Sequence, residues 1–158
     1  MAKHSTGLKI PPPVFYITAL LSGLSLQHYF PAPFSSDSLL SAQYRWGIAA
    51  VFLLPALIII TLVMSRYKNL NTPFDVRQNA RALVITGPNR FSRNPGYLAL
   101  TLFYLGLGVL LDNMWVFALL VPVLLLVDLW VIRREERNLE AQFGREYRLY
   151  KSGVRRWF

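Results

Sequence analysis

The chain has 158 residues, room for one domain, with 54% hydrophobic and 16% charged residues and a formal net charge of +9. A mean hydropathy of +0.35 is too apolar for an ordinary soluble domain, and in such a chain basic excess sets membrane topology and attracts anionic lipid headgroups rather than nucleic acid. There is no cysteine, and His4 and His28 stand far apart; disulfides, thiolate chemistry and a zinc hydrolase site are excluded, and no metal site is expected.

Lys3 and Lys9 precede Pro11-Pro12-Pro13, which stops helix on one side and fits a first helical turn on the other. The apolar run that follows, 14–30, lacks a small-residue cleavage site and reads as a retained helix. It is near the lower limit of about 17 residues for a membrane span, and Ala19 and Gly23, one turn apart, permit close helix contact. The second run, 46–64, is uncharged and carries Pro55, where a kink is expected. The third, 95–111, is joined by Asp112-Asn113 to the fourth, 114–132, so these two form an antiparallel hairpin. The fourth carries Pro122 and one acid, Asp128.

Inserted chains keep Lys and Arg on the cytoplasmic side. Arg66, Lys68, Arg77, Arg81, Arg90 and Arg93 fall between the second and third runs, and eight more basic residues follow Ile132; apart from these and the N-terminal pair, only Arg45 remains. The expected fold is therefore an all-α polytopic membrane helix bundle. It comprises four transmembrane helices, a cytoplasmic loop at 65–94 and a C-terminal cytoplasmic extension at 133–158, with both termini cytoplasmic. Tyr29, Phe30, Tyr44, Trp46, Trp115 and Trp130 suit interfacial anchoring. Beyond Ile132, Leu139, Phe143, Tyr147, Tyr150 and Val154 recur at helical spacing between charges. They read as an amphipathic helix that either caps the bundle at the interface or walls a pocket.

Two clusters on the cytoplasmic side carry polar chemistry. Asn94-Pro95 suits an N-cap followed by the first helical position. Free amides at such a helix start, with Arg90 and Arg93 beside it, suit a carboxylate or phosphate, although snorkelling arginines after a Gly87-Pro88 turn account for the same residues. The second cluster is Arg133-Arg134-Glu135-Glu136. Asp128 lies seven residues before Glu135, so on a regular helix both point the same way. An acid within a span turns towards a partner or a wet cavity, while Glu135 and Glu136 alone read first as solvated ion pairs with neighbouring arginines. Gly106-x-Gly108 lies inside a span with no third glycine, which excludes a dinucleotide fingerprint.

Taken together, Arg93-Asn94-Pro95-Gly96-Tyr97, the apolar hairpin, Glu135-Glu136-x-x-Leu139 and Phe143-Gly144-x-x-Tyr147-x-x-Tyr150 resemble the membrane methyltransferases that include isoprenylcysteine carboxyl methyltransferases and phospholipid N-methyltransferases. The resemblance covers about 83–154 and implies S-adenosylmethionine as cofactor. It also implies that Gly87, Pro88, Arg93, Asn94, Tyr97, Glu135, Glu136, Phe143, Tyr147 and Tyr150 line its site, with Arg93, Glu135 and Glu136 as the catalytic candidates. The family usually has histidine at Asn94, and proline in a C-terminal motif where this chain reads Arg155-Arg156-Trp157-Phe158. An amide at 94 cannot titrate, so acid–base work there is not expected.

The expected function is methyl transfer to an amphipathic or lipid-linked acceptor entering from the bilayer. A carboxylate acceptor needs orientation by Arg93 or Arg90, whereas an amine needs Glu135 or Glu136 as base. Two alternatives stand beside it. One is an NADPH-dependent reductase, since sterol reductases resemble the same hairpin pattern; the other is a non-catalytic lipid-binding subunit acting through Arg145, Arg148 and Lys151.

Overall fold

The computed structural model of the protein describes residues 10–31, 42–70 and 82–157. Lys3, Lys9, Arg77, Arg81, Phe158 and the loop around Asp37, on which part of the charge argument rests, lie outside the described residues. Helix α1 spans Pro13–Tyr29 and α2 spans Ala42–Asn69; a 3-10 turn at Gly87–Arg90 leads to α3, Pro95–Leu111. Helix α4, Met114–Leu126, passes through a π-helical stretch, Val127–Ile132, into α5, Arg133–Phe143, and α6 covers Arg145–Gly153. Among the described residues all regular structure is helical, the form in which apolar runs satisfy their own backbone groups.

Among the described residues, two continuous helices, Gln43–Asn69 and Met114–Phe143, are long and apolar enough to cross a membrane. The other two expected spans are shorter: α1 and α3 have 17 residues each. The expected C-terminal extension also differs in form. It is two amphipathic helices, because Gly144, at φ 52° and ψ −117°, breaks the chain between α5 and α6. That backbone region is essentially open to glycine alone.

The bundle is built from two helix pairs, α1 on α4 and α2 on α3. Ala49, Ala56 and Val63 are buried on α2 at intervals of seven, the spacing of a helix seam. Gly106 of α3 meets that seam so closely that a Cβ there would lie 2.6 Å from Leu53. In the other pair, the Ala19–Gly23 step packs as expected: both are buried, and a Cβ on Gly23 would come within 2.9 Å of Val116. Tyr16, Tyr97, Tyr104, Val116, Leu120, Val123, Val127, Val131 and Ile132 form the shared core. Val51, Leu54, Leu57 and Ile58 of α2 and Val121 and Leu125 of α4 remain exposed outside it, as a lipid-facing surface requires.

The two ends of the bundle differ in kind. At the end holding the α3–α4 turn, Asp112 adopts a left-handed conformation and Asn113 caps α4 by accepting from the Val116 N–H at 3.1 Å. The Asn113 Nδ2 also donates to the Gly23 carbonyl, and Arg45 pairs with Asp112 at 3.5 Å. The opposite, basic end gathers the 3-10 turn, the start of α3, α5, α6 and residues 154–157.

Candidate active site

The turn before α3 is shaped by contact with α2. Gly87 has φ 65°, and a Cβ there would sit 3.1 Å from the Arg66 side chain, so the turn passes directly over that arginine. Asn89 is buried, and its carbonyl accepts a 2.7 Å hydrogen bond from the Tyr150 hydroxyl of α6. Arg90 is exposed and does not join the site. Helix α3 starts at Pro95 as expected, but the Asn94 side chain does not cap it. Its Nδ2 instead donates to the Arg156 carbonyl at 3.0 Å, and its own N–H donates to Ser92 Oγ. The amide is thus taken up by the C-terminal segment rather than by the helix.

The π-helical stretch changes which acid faces Asp128. The Arg133 N–H reaches the Asp128 carbonyl five residues back, so one extra residue fits into the turn. The partner in line with Asp128 then lies eight residues on, at Glu136, instead of Glu135 as regular helix geometry predicts. Arg156 grips both. Its Nε and Nη2 donate to Glu136 Oε1 and Oε2 at 3.1 and 2.8 Å, and Nη1 reaches both Asp128 oxygens at 3.3 and 3.0 Å. Trp157 Nε1 adds a 3.0 Å bond to Asp128, and Arg93 Nη2 lies 3.3 Å from Glu136 Oε1. Glu136 is buried and enclosed by two guanidinium groups. The Arg156 guanidinium is held charged above its ordinary range, first by its bond to Glu136.

Glu135 lies beyond the apolar stretch and has a different setting. Its carboxyl accepts a 3.2 Å bond from the Tyr97 hydroxyl. Burial, reinforced by the Glu136 charge and opposed by that bond, pushes the Glu135 carboxyl up to about 7. Tyr147 is fully enclosed and its ring lies 6.1 Å from that of Tyr150. Burial pushes the Tyr150 hydroxyl up to about 12, so it stays a donor. Phe143 is the half-buried last residue of α5, at the bend. Two nitrogens of Arg93, Nε and Nη1, are buried without a partner, as are Asn89 Oδ1 and, on α5, Asn138 Nδ2.

The structure therefore brings Arg93, Asn94, Tyr97, Glu135, Glu136, Tyr147 and Tyr150 to one end of the bundle, with Gly87 and Pro88 shaping its edge. Asn89, Ser92, Arg156 and Trp157 escaped sequence reasoning. A signal for Arg156 did exist: Asp128 in an apolar run demands a cationic partner, and the nearby Arg133, Arg134 and Arg137 are all exposed. Arg148 and Lys151, central to the lipid-binding alternative, are engaged by Glu140 at 4.0 and 3.5 Å.

Residues 43–146 match the phospholipid methyltransferase family. The chain is also similar to an uncharacterised protein of Haemophilus influenzae, 41% identical over 61 residues that cover 39% of this chain and 97% of that protein. No solved structure matches. The match extends over most of the chain, which belongs to the phospholipid methyltransferase family.

Proposed function

We propose that this member of the phospholipid methyltransferase family is an integral membrane, S-adenosylmethionine-dependent methyltransferase acting on an amphipathic or lipid-linked acceptor. In this reading α1 and α3 cross the bilayer beside the two longer helices. Both termini and the basic end face the cytoplasm, where charge retention favours them. The observation that carries the proposal is the set of orphaned polar atoms on Arg93 and Asn89, beside an acid poised to titrate near neutrality. Buried polar groups without partners are rare, and here they gather where a ligand with both charges fits.

The amino-acid end of S-adenosylmethionine carries a carboxylate and an ammonium. Arg93 Nε and Nη1 are donors suited to the former, and Asn89 Oδ1 and Glu135 are acceptors suited to the latter. When bound, the cofactor supplies a methyl group activated by a positive sulfur. The chain's own residues orient the acceptor, exclude water and move protons. Tyr97, Tyr147 and Tyr150 wall the site. For an amine acceptor, Glu135 takes the departing N–H proton on its carboxylate. Glu136 is a poorer base, since both its oxygens are engaged by arginine.

The test is calorimetric binding of S-adenosylmethionine to the full chain in detergent. Arg93→Ala and Glu135→Gln should each weaken binding roughly 10-fold or more while helix content is retained. Absence of binding to the unaltered protein would refute the proposal.

A further inference from the structure

The α3 start and the α4–α5 helix belong to different helix pairs, and residues 154–157 join them. After α6 the backbone becomes extended at Val154. The Arg155 carbonyl accepts from the Arg93 N–H at 3.0 Å, and the Arg156 carbonyl accepts from Ser92 Oγ and Asn94 Nδ2 at 3.2 and 3.0 Å. From this anchored backbone the Arg156 side chain reaches across to Glu136 and Asp128. One short segment therefore holds the loop bearing Arg93 and the helix bearing both acids.

The consequence follows from competition for Glu136. This carboxylate is buried and needs cationic partners. Arg156 satisfies both its oxygens, and Arg93 contributes one nitrogen at the longer distance of 3.3 Å, leaving Nε and Nη1 unpaired. Were Arg156 absent, the nearest remaining guanidinium, Arg93, would turn more of its donors onto Glu136, because bidentate pairing is the strongest satisfaction available to a buried carboxylate. Arg93 would then be lost to a ligand.

We infer that Arg156 is a positioning residue which saturates Glu136 and so keeps Arg93 open as the subsite for the ligand's anionic group. This rests on the S-adenosylmethionine reading, in which that group is the cofactor's carboxylate. Glu136 then acts as a structural acid, and Glu135 alone faces the ligand.

The experiment compares the affinities of S-adenosylmethionine and its decarboxylated analogue for the full chain in detergent, by calorimetry. The unaltered protein should prefer the carboxylated ligand by roughly 10- to 100-fold, the range for a hydrogen bond between charged groups. Arg156→Gln should bring the preference close to one, whereas the double variant Glu136→Gln/Arg156→Gln should recover it, since a neutral amide no longer draws Arg93 away. A general structural defect would weaken both ligands alike and would not be relieved by a second substitution. Arg156→Lys, which keeps the charge without the fork, should fall between and serves if the glutamine variant does not fold. An unchanged preference in either Arg156 variant, or no recovery in the double variant, overturns the inference while leaving the cofactor reading intact. Failure of the unaltered protein to bind either ligand overturns both.

Discussion

Titration of Glu135 offers a direct probe of the site. Its carboxyl, raised to about 7 mainly by burial, is opposed by the Tyr97 hydroxyl at 3.2 Å and assisted by the Glu136 charge. A hydrogen bond to a charged group contributes about 1.5–3 kcal/mol, and this one is long for an O–H donor. At the lower end of that range and about 1.4 kcal/mol per pKa unit, Tyr97→Phe should raise the midpoint by about one unit. Glu136→Gln should move it the other way, because it removes a like charge and leaves the Arg93 and Arg156 cations less compensated. Infrared difference titration of the carboxyl stretch, with Glu135→Gln as the subtraction reference, reads the midpoint without needing the acceptor. Shifts of the same sign in both variants, or a midpoint near 4 in the unaltered chain, would show that Glu135 is not held in this way.

Stability should follow the same group. A carboxyl raised in the folded state binds more protons there than in the unfolded chain. Stability should therefore fall as pH rises from about 4.5 to about 7, with the cost complete above that range, and Glu135→Gln should flatten this slope in thermal unfolding. Gly144→Ala should lower stability by about 1–3 kcal/mol, read as a lower thermal midpoint, through backbone strain rather than a clash, since nothing beyond its chain neighbours and local helix backbone lies within 4 Å of its Cβ position. Gly23→Val should cost about 1–3 kcal/mol by forcing α1 from Val116, measured as a lower thermal midpoint in detergent. Asn113→Ala loses both the α4 cap and the bond to the Gly23 carbonyl; about 1–3 kcal/mol is expected, read in the same assay.

Legibility in the sequence followed the range of the interactions. The third apolar run began at Pro95 and ended at Leu111 as read, because Asn-Pro and Asp-Asn are local signals. The close approach at Gly23 was equally local, needing only a small residue one turn from another. The alignment of Asp128 with Glu135 expected of a regular helix does not arise, because the π-helical stretch has no simple sequence mark and its one added residue brings Glu136 into line instead. The Asn94 side chain departs from the expected cap because its partner, the Arg156 carbonyl, lies 62 residues away and leaves no local mark. A cap motif predicts what a side chain does only when no distant acceptor outcompetes the helix.

Polar satisfaction separates the two ends of the bundle more sharply than charge does. At the α3–α4 turn, Asn113 is bonded through both side-chain atoms, Trp115 Nε1 donates to the Phe30 carbonyl at 2.8 Å, and Arg45 has Asp112. Gln27 Oε1 on α1 and Tyr104 OH on α3 are isolated exceptions. At the basic end, among the described residues, four buried atoms on Arg93, Asn89 and Asn138 have no partner. Packing alone does not explain this, because Tyr147 is completely enclosed in the same region. A fold that pairs most of its polar groups at one end and leaves orphans gathered at the other has the unmet hydrogen bonds that the proposed ligand would convert into binding energy at the second.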